Sequence, residues 1–148
     1  MLSYDLKTMR IGLLLACCIA ATEILVAQKH VHKEISRGNE KEISVTVDVS
    51  FGKVLILRGE PAKVLEADYY YKEGRADDFK VDYDIRGGKG ILTIRSKERS
   101  RFWSDSNDEE IKDREWVLKL TDAVPLSLKI ELGAGKGEFD FTGLQIKN

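Results

Sequence analysis

The sequence predicts an all-β protein: antiparallel hairpins leading into β-solenoid-like rungs, preceded by an N-terminal signal helix. Three observations predict it. Apolar residues recur at every second position through several short segments, glycines punctuate those segments, and two distant stretches repeat one order of strand, glycine-containing turn and strand.

Composition sets the frame. A chain of 148 residues is about one domain by length, and 43% apolar residues is ordinary for a globular protein. The 24 basic and 25 acidic residues leave a net charge of -1, so no whole-molecule field draws the chain to nucleic acid or to an anionic membrane.

At the N-terminus, Lys7 and Arg10 precede the apolar run "IGLLLACCIAAT", followed by Glu23 and "ILVAQ". Residues 1–27 read as a secretory signal peptide, since the uninterrupted run is shorter than the roughly 18 residues a membrane-spanning helix needs. Cleavage after Ala27 would start the mature chain at Gln28, and Met9 before Arg10 is an alternative start to Met1. Two variants stay open. "LLAC", Leu14 to Cys17, resembles a lipobox whose cysteine is acylated, although the residues after it stay apolar; or the segment is kept as an anchor with Glu23 near its outer end. Contact with a membrane is expected through this segment alone. Cys17 and Cys18 both fall inside it, so the remaining chain is expected to have no disulfide, thiolate metal site or cysteine nucleophile.

Residues 28–41, "QKHVHKEISRGNEK", read as a polar tether ahead of a β domain at 42–148. His30 and His32 have H-x-H spacing and would bind a metal if a third ligand converged; the plainer reading is a solvated tail with no rigid element to hold them. No metal and no cofactor is assigned.

From Ile43 the period becomes two. Ile43, Val45, Val47 and Val49 take one face and Ser44, Thr46, Asp48 and Ser50 the other, which is a half-buried strand. Gly52 punctuates, and Val54 to Leu57 resume as a second strand, apolar on both faces and so covered from two sides. "KVLEADYYY" follows. In "FKVDYDI", Phe79, Val81, Tyr83 and Ile85 alternate against Lys80, Asp82 and Asp84, and "GGKG" from Gly87 to Gly90 turns the chain into "ILTIRS" as a hairpin. The charged stretch Lys97 to Glu115 reads as a long exposed loop. Phe102 and Trp103, flanked by Arg99 and Arg101, would form an aromatic platform for a partner protein or a cell-wall glycan; the plainer reading is a disordered insertion with Trp103 tucked onto the sheet. Strand pattern returns at Trp116, Leu118 and Leu120, and "DAVP" turns the chain.

The stretch "GAGKGEFDFTG" near the end looks at first like a phosphate loop. A Walker loop needs a hydroxyl after its lysine, whereas Lys136 is followed by Gly137 and Glu138. A dinucleotide fingerprint needs a helix after its glycines, whereas Phe139 and Phe141 alternate with Glu138 and Asp140 as a strand does. The glycines therefore serve the backbone, as turn glycines at Gly52, Gly133, Gly135 and Gly137. Ile43 to Gly59 set above Leu126 to Gly143 gives the same order of elements, with turns that differ by one residue, and Leu144 and Ile146 restart the alternation. Such spacing is that of a solenoid whose rungs bury their faces against one another.

At "FGKVLILRG", "GKGILTIRS" and "REWVLKLTDAVPLSLKIELGAGKGEFDFTGLQIKN", together with the signal, the chain resembles the toast-rack family of bacterial cell-envelope proteins. The resemblance implies stacked β-rungs behind an adhesin-like N-terminal region, and a chain that is an N-terminal fragment or a truncated member. It implies an unpaired edge on the last strand, open to further rungs, another subunit or self-association. It carries no catalytic residue. The expected function is a non-catalytic extracytoplasmic envelope protein, adhesin-like or a scaffold for interactions; the alternative is a ligand- or partner-binding regulatory module of a cell-envelope stress response.

Overall fold

Branched apolar residues at alternate positions from Ile43 to Ile56 suit an extended chain with one face on a core, and this segment organises the sheet. The computed structural model of the chain describes residues 28–72, 79–96 and 114–147. They form strands β1 (Lys29–Ser36), β2 (Glu42–Arg58), β3 (Lys63–Tyr71), β4 (Phe79–Arg86), β5 (Lys89–Ser96), β6 (Glu115–Leu120) and β7 (Leu126–Phe139); among the described residues there is no helix. The sheet order is β1-β3-β6-β2-β5-β4, with β7 on the other edge of β2. The expected all-β class is what the structure shows.

β2 is one continuous strand with two sets of neighbours. Its first half pairs with β5, Glu42↔Lys89 to Asp48↔Arg95, and its second half with β6, Lys53↔Glu115 to Arg58↔Leu120, both parallel. Between the halves lies a bend. The inward side chains are Ile43, Val45, Val47 and Val49 before it and Val54 and Ile56 after it, all at most 2% exposed, so the inward parity changes across Ser50 and Phe51. Gly52 has φ 112°, a left-handed conformation suited to glycine, and a Cβ there would come within 2.8 Å of the Arg114 carbonyl oxygen. Hydrogen bonds fix the bend from both wings: the Ser50 N–H donates to Ser96 Oγ (2.9 Å), the Lys53 N–H to the Arg114 carbonyl (2.8 Å), and the Trp116 indole N–H to the Phe51 carbonyl (3.3 Å).

The bend turns the sheet into two wings, β5–β4 and β6–β3–β1, that close on one core. Phe79 of β4 packs edge-on to Trp116 of β6 at 5.4 Å and lies 5.8 Å from Tyr69 of β3. Trp116 and Tyr69 are themselves fully buried at 4.4 Å from each other. The edge strands approach as well, since Lys33 of β1 sets its ammonium over the Phe79 ring at 5.1 Å and donates to the Phe79 carbonyl at 3.5 Å. The sheet is thus a nearly closed barrel, and each fully buried valine, leucine or isoleucine inside it contributes roughly 1.5–3 kcal/mol.

β7 lies parallel to β2 from Ile43↔Leu126 to Ile56↔Phe139. The repeat read from the sequence is this pairing register, with Gly135 opposite Gly52. Two expectations change. The turns expected at Gly52 and in GAGKG do not reverse the chain but are bends inside β2 and β7, and the one-residue length difference falls after the paired segment, at Asp140 to Gly143. Antiparallel hairpins describe β4–β5, turned by Gly87 and Gly88, whereas all three partners of β2 are parallel. The apolar run at Val54 to Leu57, expected to be covered from two sides, is fully buried on one face only: Val54 and Ile56 are in the core, whereas Leu55 and Leu57 on the other face are half-buried.

The polar tether is a third difference: Lys29 to Ser36 form β1, antiparallel to β3. Val31 and Ile35 pack against the core from one face of β1 while His30, His32 and Glu34 point outward. Beyond β7 the chain returns to it. Ile146 bridges Leu126 in parallel, with the Leu126 N–H donating to the Gln145 carbonyl (2.7 Å) and the Lys147 N–H to the Leu126 carbonyl (2.8 Å).

A Cβ on Gly135 would come within 2.0 Å of the Gly52 carbonyl oxygen, whereas one on Gly87 would meet nothing within 4 Å. Gly135→Ala is therefore expected to destabilise the fold by about 2–3 kcal/mol through overpacking of backbone on backbone. Gly87→Ala carries the left-handed penalty alone, about 1 kcal/mol. Urea denaturation of both variants measures the difference, and equal losses would contradict the close approach of the two strands.

Candidate functional site

Period two on β1 and β3 brings six polar or aromatic side chains onto one outer face. Antiparallel pairing sets His30 opposite Tyr70, His32 opposite Asp68 and Glu34 opposite Glu66. Asp68 receives both histidines: His30 Nε2 and His32 Nδ1 each lie 2.7 Å from its Oδ1, each donating a ring N–H to the carboxylate. The ligand atoms of the three residues lie within 4.8 Å of one another, so these are the side chains that could hold a metal ion among the described residues. The imidazoles are open to solvent, with side chains 43% and 42% exposed, while Asp68 is 13% exposed between them.

Neighbours fix each ring. His30 stacks on Tyr70, centroids 4.6 Å apart and planes 10° apart. His32 turns its second nitrogen, Nε2, to Glu34 Oε1 at 3.2 Å. Glu34 accepts from Lys63 at 2.7 Å, Lys63 also reaches Glu66 at 3.3 Å, and Lys119 of β6 donates to Glu66 at 2.6 Å. The cations thus stand between Glu34 and Glu66, which would otherwise repel across the strands.

The electrostatics follow from these contacts. Hydrogen bonds to Asp68 and then Glu34 raise the His32 pKa above its ordinary 6.5. Burial works to raise the Asp68 pKa, but hydrogen bonds from His32 and His30 outweigh it and hold the carboxyl below its usual 3.8. Glu34 and Glu66 are lowered by hydrogen bonds from Lys63 and Lys119 respectively.

Of the residues singled out in the sequence, the structure brings His30 and His32 together on a strand, against the expectation of a tail with no rigid element. Phe102, Trp103, Arg99 and Arg101 lie outside the described residues, as do Cys17 and the segment read as a signal. The ends of their loop are placed, with Ser96 and Arg114 both bonded to the bend of β2. Gly52, Gly133, Gly135 and Gly137 sit inside β2 and β7, and Lys136 spends its charge on Glu138 at 2.8 Å. Asp68, Glu34 and Tyr70 were not singled out. The available signal was the alternation of His30, His32 and Glu34 against Val31 and Ile35, and of Glu66, Asp68 and Tyr70 against Leu65, Ala67, Tyr69 and Tyr71.

A folded pKa raised for His32 means that its contribution to stability is complete below pH 6.5 and is lost as pH rises through the raised value. The lowered pKa of Asp68 means that its contribution is present above pH 3.8 and is lost as pH falls through the lowered value. The contact is therefore strongest between these limits. An NMR titration of His32 is expected to give a midpoint above 6.5, falling towards it in Asp68→Asn; an unchanged midpoint in that variant would contradict the pairing.

Comparison with known proteins places the fold. A crystal structure of a proposed cell adhesion protein from Clostridium sporogenes ATCC 15579 is similar at a TM-score of 0.70 and 20% identity, over 82% of this chain and 55% of that one. This chain thus spans about half the length of that protein, and the likeness is one of fold. A proposed adhesin from Parabacteroides distasonis ATCC 8503 aligns at a TM-score of 0.34 and 15% identity, over 72% of this chain and 37% of that one. No curated protein matches the sequence. The family model for the N-terminal domain of toast_rack, DUF2154, matches residues 25–148, a range that takes in β1 with its histidines as well as the repeated strands β2 and β7, and the chain belongs to that family.

Proposed function

We propose that the chain is a non-catalytic, extracytoplasmic β module of the cell envelope, adhesin-like in kind, that acts as a scaffold by stacking strands. The observation that carries this reading is the outer edge of β7. Among the described residues that edge is met by the single bridge Leu126↔Ile146, and beside it Leu132, Phe139, Phe141 and Ile146 are 36–41% exposed. Phe139 and Phe141 stack on each other at 6.0 Å in solvent. An open strand edge lined by apolar side chains is a template for another strand.

The rung architecture belongs to the same reading. β7 repeats β2 residue for residue, and the bridge at Ile146 begins a third layer on β7 in the same parallel sense. A stack of this kind buries each layer only against its neighbours, so it grows at its end. Further rungs or a second copy of the chain would complete the β7 edge. Placement outside the cytoplasm rests on the basic-then-apolar segment from Lys7 to Ala27 and on the family. The adhesin-like character is supported by the similar fold of the clostridial protein.

Sedimentation velocity on protein lacking residues 1–27 is expected to show concentration-dependent association, and Leu132→Lys with Phe139→Lys to hold the chain monomeric at every concentration without loss of its β spectrum. A native protein that stays monomeric throughout would contradict β7 as a docking edge. Residues 1–27 fused to a reporter active only outside the cytoplasm are expected to export it, and retention inside would contradict the envelope placement.

A further inference from the structure

We propose that His30, His32 and Asp68 form a binding site for one divalent transition-metal ion on the outer face of the β1–β3 pair. The donor set comes first. Two imidazole nitrogens with one carboxylate oxygen suit zinc, copper or nickel, whereas calcium and magnesium prefer oxygen alone. Three protein ligands leave a fourth position, and the exposed imidazoles leave it open to water or to a donor group on a partner.

The site is arranged before any ion arrives. His30 and His32 sit two residues apart on one face of a strand, and Asp68 stands opposite His32 on the neighbouring strand, so backbone hydrogen bonds rather than mobile loops hold the spacing. Both ring nitrogens already point at one oxygen at 2.7 Å. A tetrahedral ion with bonds of roughly 2.0–2.2 Å needs its ligand atoms about 3.3 Å apart. Each nitrogen–oxygen distance must open by about 0.6 Å, within reach of side-chain rotation.

The surrounding groups orient the ligands. An ion that displaces the proton His32 Nδ1 donates to Asp68 would meet the Nδ1 lone pair while the Nε2–H stays on Glu34, which is the carboxylate–histidine–metal arrangement; Lys63 in turn fixes Glu34. Tyr70 holds the plane of His30 by stacking. Lys119 is the cation on the far side of Asp68, and Glu66 keeps it at 2.6 Å, so its charge is matched locally. A purely structural role, in which the two imidazoles only tie β1 to β3, requires the same hydrogen bonds but not the free face towards solvent.

Isothermal titration of Zn2+ into the full chain, without an affinity tag and in chelator-treated buffer, is expected to show one saturable site per chain. His30→Ala, His32→Ala and Asp68→Asn are each expected to weaken zinc binding by at least about tenfold, and Glu34→Gln by about tenfold through the lost orientation of His32. Asp82→Asn, on β4, is expected to leave binding unchanged. Absence of a saturable site, or undiminished binding in the His30→Ala/His32→Ala double variant, would overturn the proposal. Should a variant fail to fold, Cu2+ electron paramagnetic resonance on the native chain decides: nitrogen couplings from two imidazoles are expected, and a spectrum with fewer than two would overturn the assignment.

Discussion

The close parallel contact of β7 on β2 at the level of their glycines is the constraint on which the rest of the structure depends. The Gly135 Cα stands where a Cβ would come within 2.0 Å of the Gly52 carbonyl, so two backbones bend together with no side chain between them. That shared bend lets β2 change its inward parity midway and take β5 as neighbour below and β6 above. The two wings then fold towards each other and bury Trp116, Tyr69 and Phe79 in one aromatic cluster. A straight β2 would have given a flat sheet with the same residues on an open face. Because the wing β6–β3–β1 curls back, Lys33 reaches Phe79 and the edge strands β1 and β4 close the barrel.

Much of this was legible in the sequence, and the parts that were not have physical causes. Alternation from Ile43 to Val49, from Phe79 to Ile85 and from Trp116 to Leu120 marks strands because burial on one face needs period two. The self-similarity of Ile43–Gly59 and Leu126–Gly143 reflects two strands that lie side by side, each needing an apolar face and a side-chain-free bend at one level. Whether a glycine reverses a chain or only bends it is decided by what packs against it, here the Ser50 and Gly52 carbonyls, and sequence spacing does not carry that. β1 was hidden because a lysine stands between Val31 and Ile35 at an inward position. Lys33 is tolerated there because it lies at the seam of the barrel, where its ammonium finds a ring face and a carbonyl. The histidine cluster was half legible: the H-x-H spacing is visible, but the converging carboxylate arrives through a strand pairing more than thirty residues away in the chain.

The two surfaces for which a function is proposed lie on different strands at the margins of the sheet. β1 ends one wing, carrying the histidines and Asp68, while β7 ends the other side of β2, carrying exposed leucine and phenylalanine. The proposed ion site and the proposed strand addition are therefore separable. The charge pairs on the β1–β3–β6 face, Glu34–Lys63–Glu66–Lys119, keep that face polar and disfavour strand stacking there, whereas beside β7 the apolar Leu132, Phe139, Phe141 and Ile146 are exposed among the described residues. The proposed association would in this way be directed to β7.

Amide hydrogen exchange along β7 tests the central claim most directly. In a parallel pair alternate amides point to the two neighbours, and here the Leu126 N–H faces outward to Gln145 while the Asp140 N–H faces inward to the Ile56 carbonyl. The account predicts slow exchange at Ser127, Lys129 and Glu131, fast exchange at Leu128 and Ile130, and a reversal of phase across the glycine bend, so that Lys136, Glu138 and Asp140 are slow while Gly137 and Phe139 are fast. Fast exchange throughout β7, or alternation without the change of phase at Gly133 to Gly135, would contradict the docking of β7 on β2 through a shared bend.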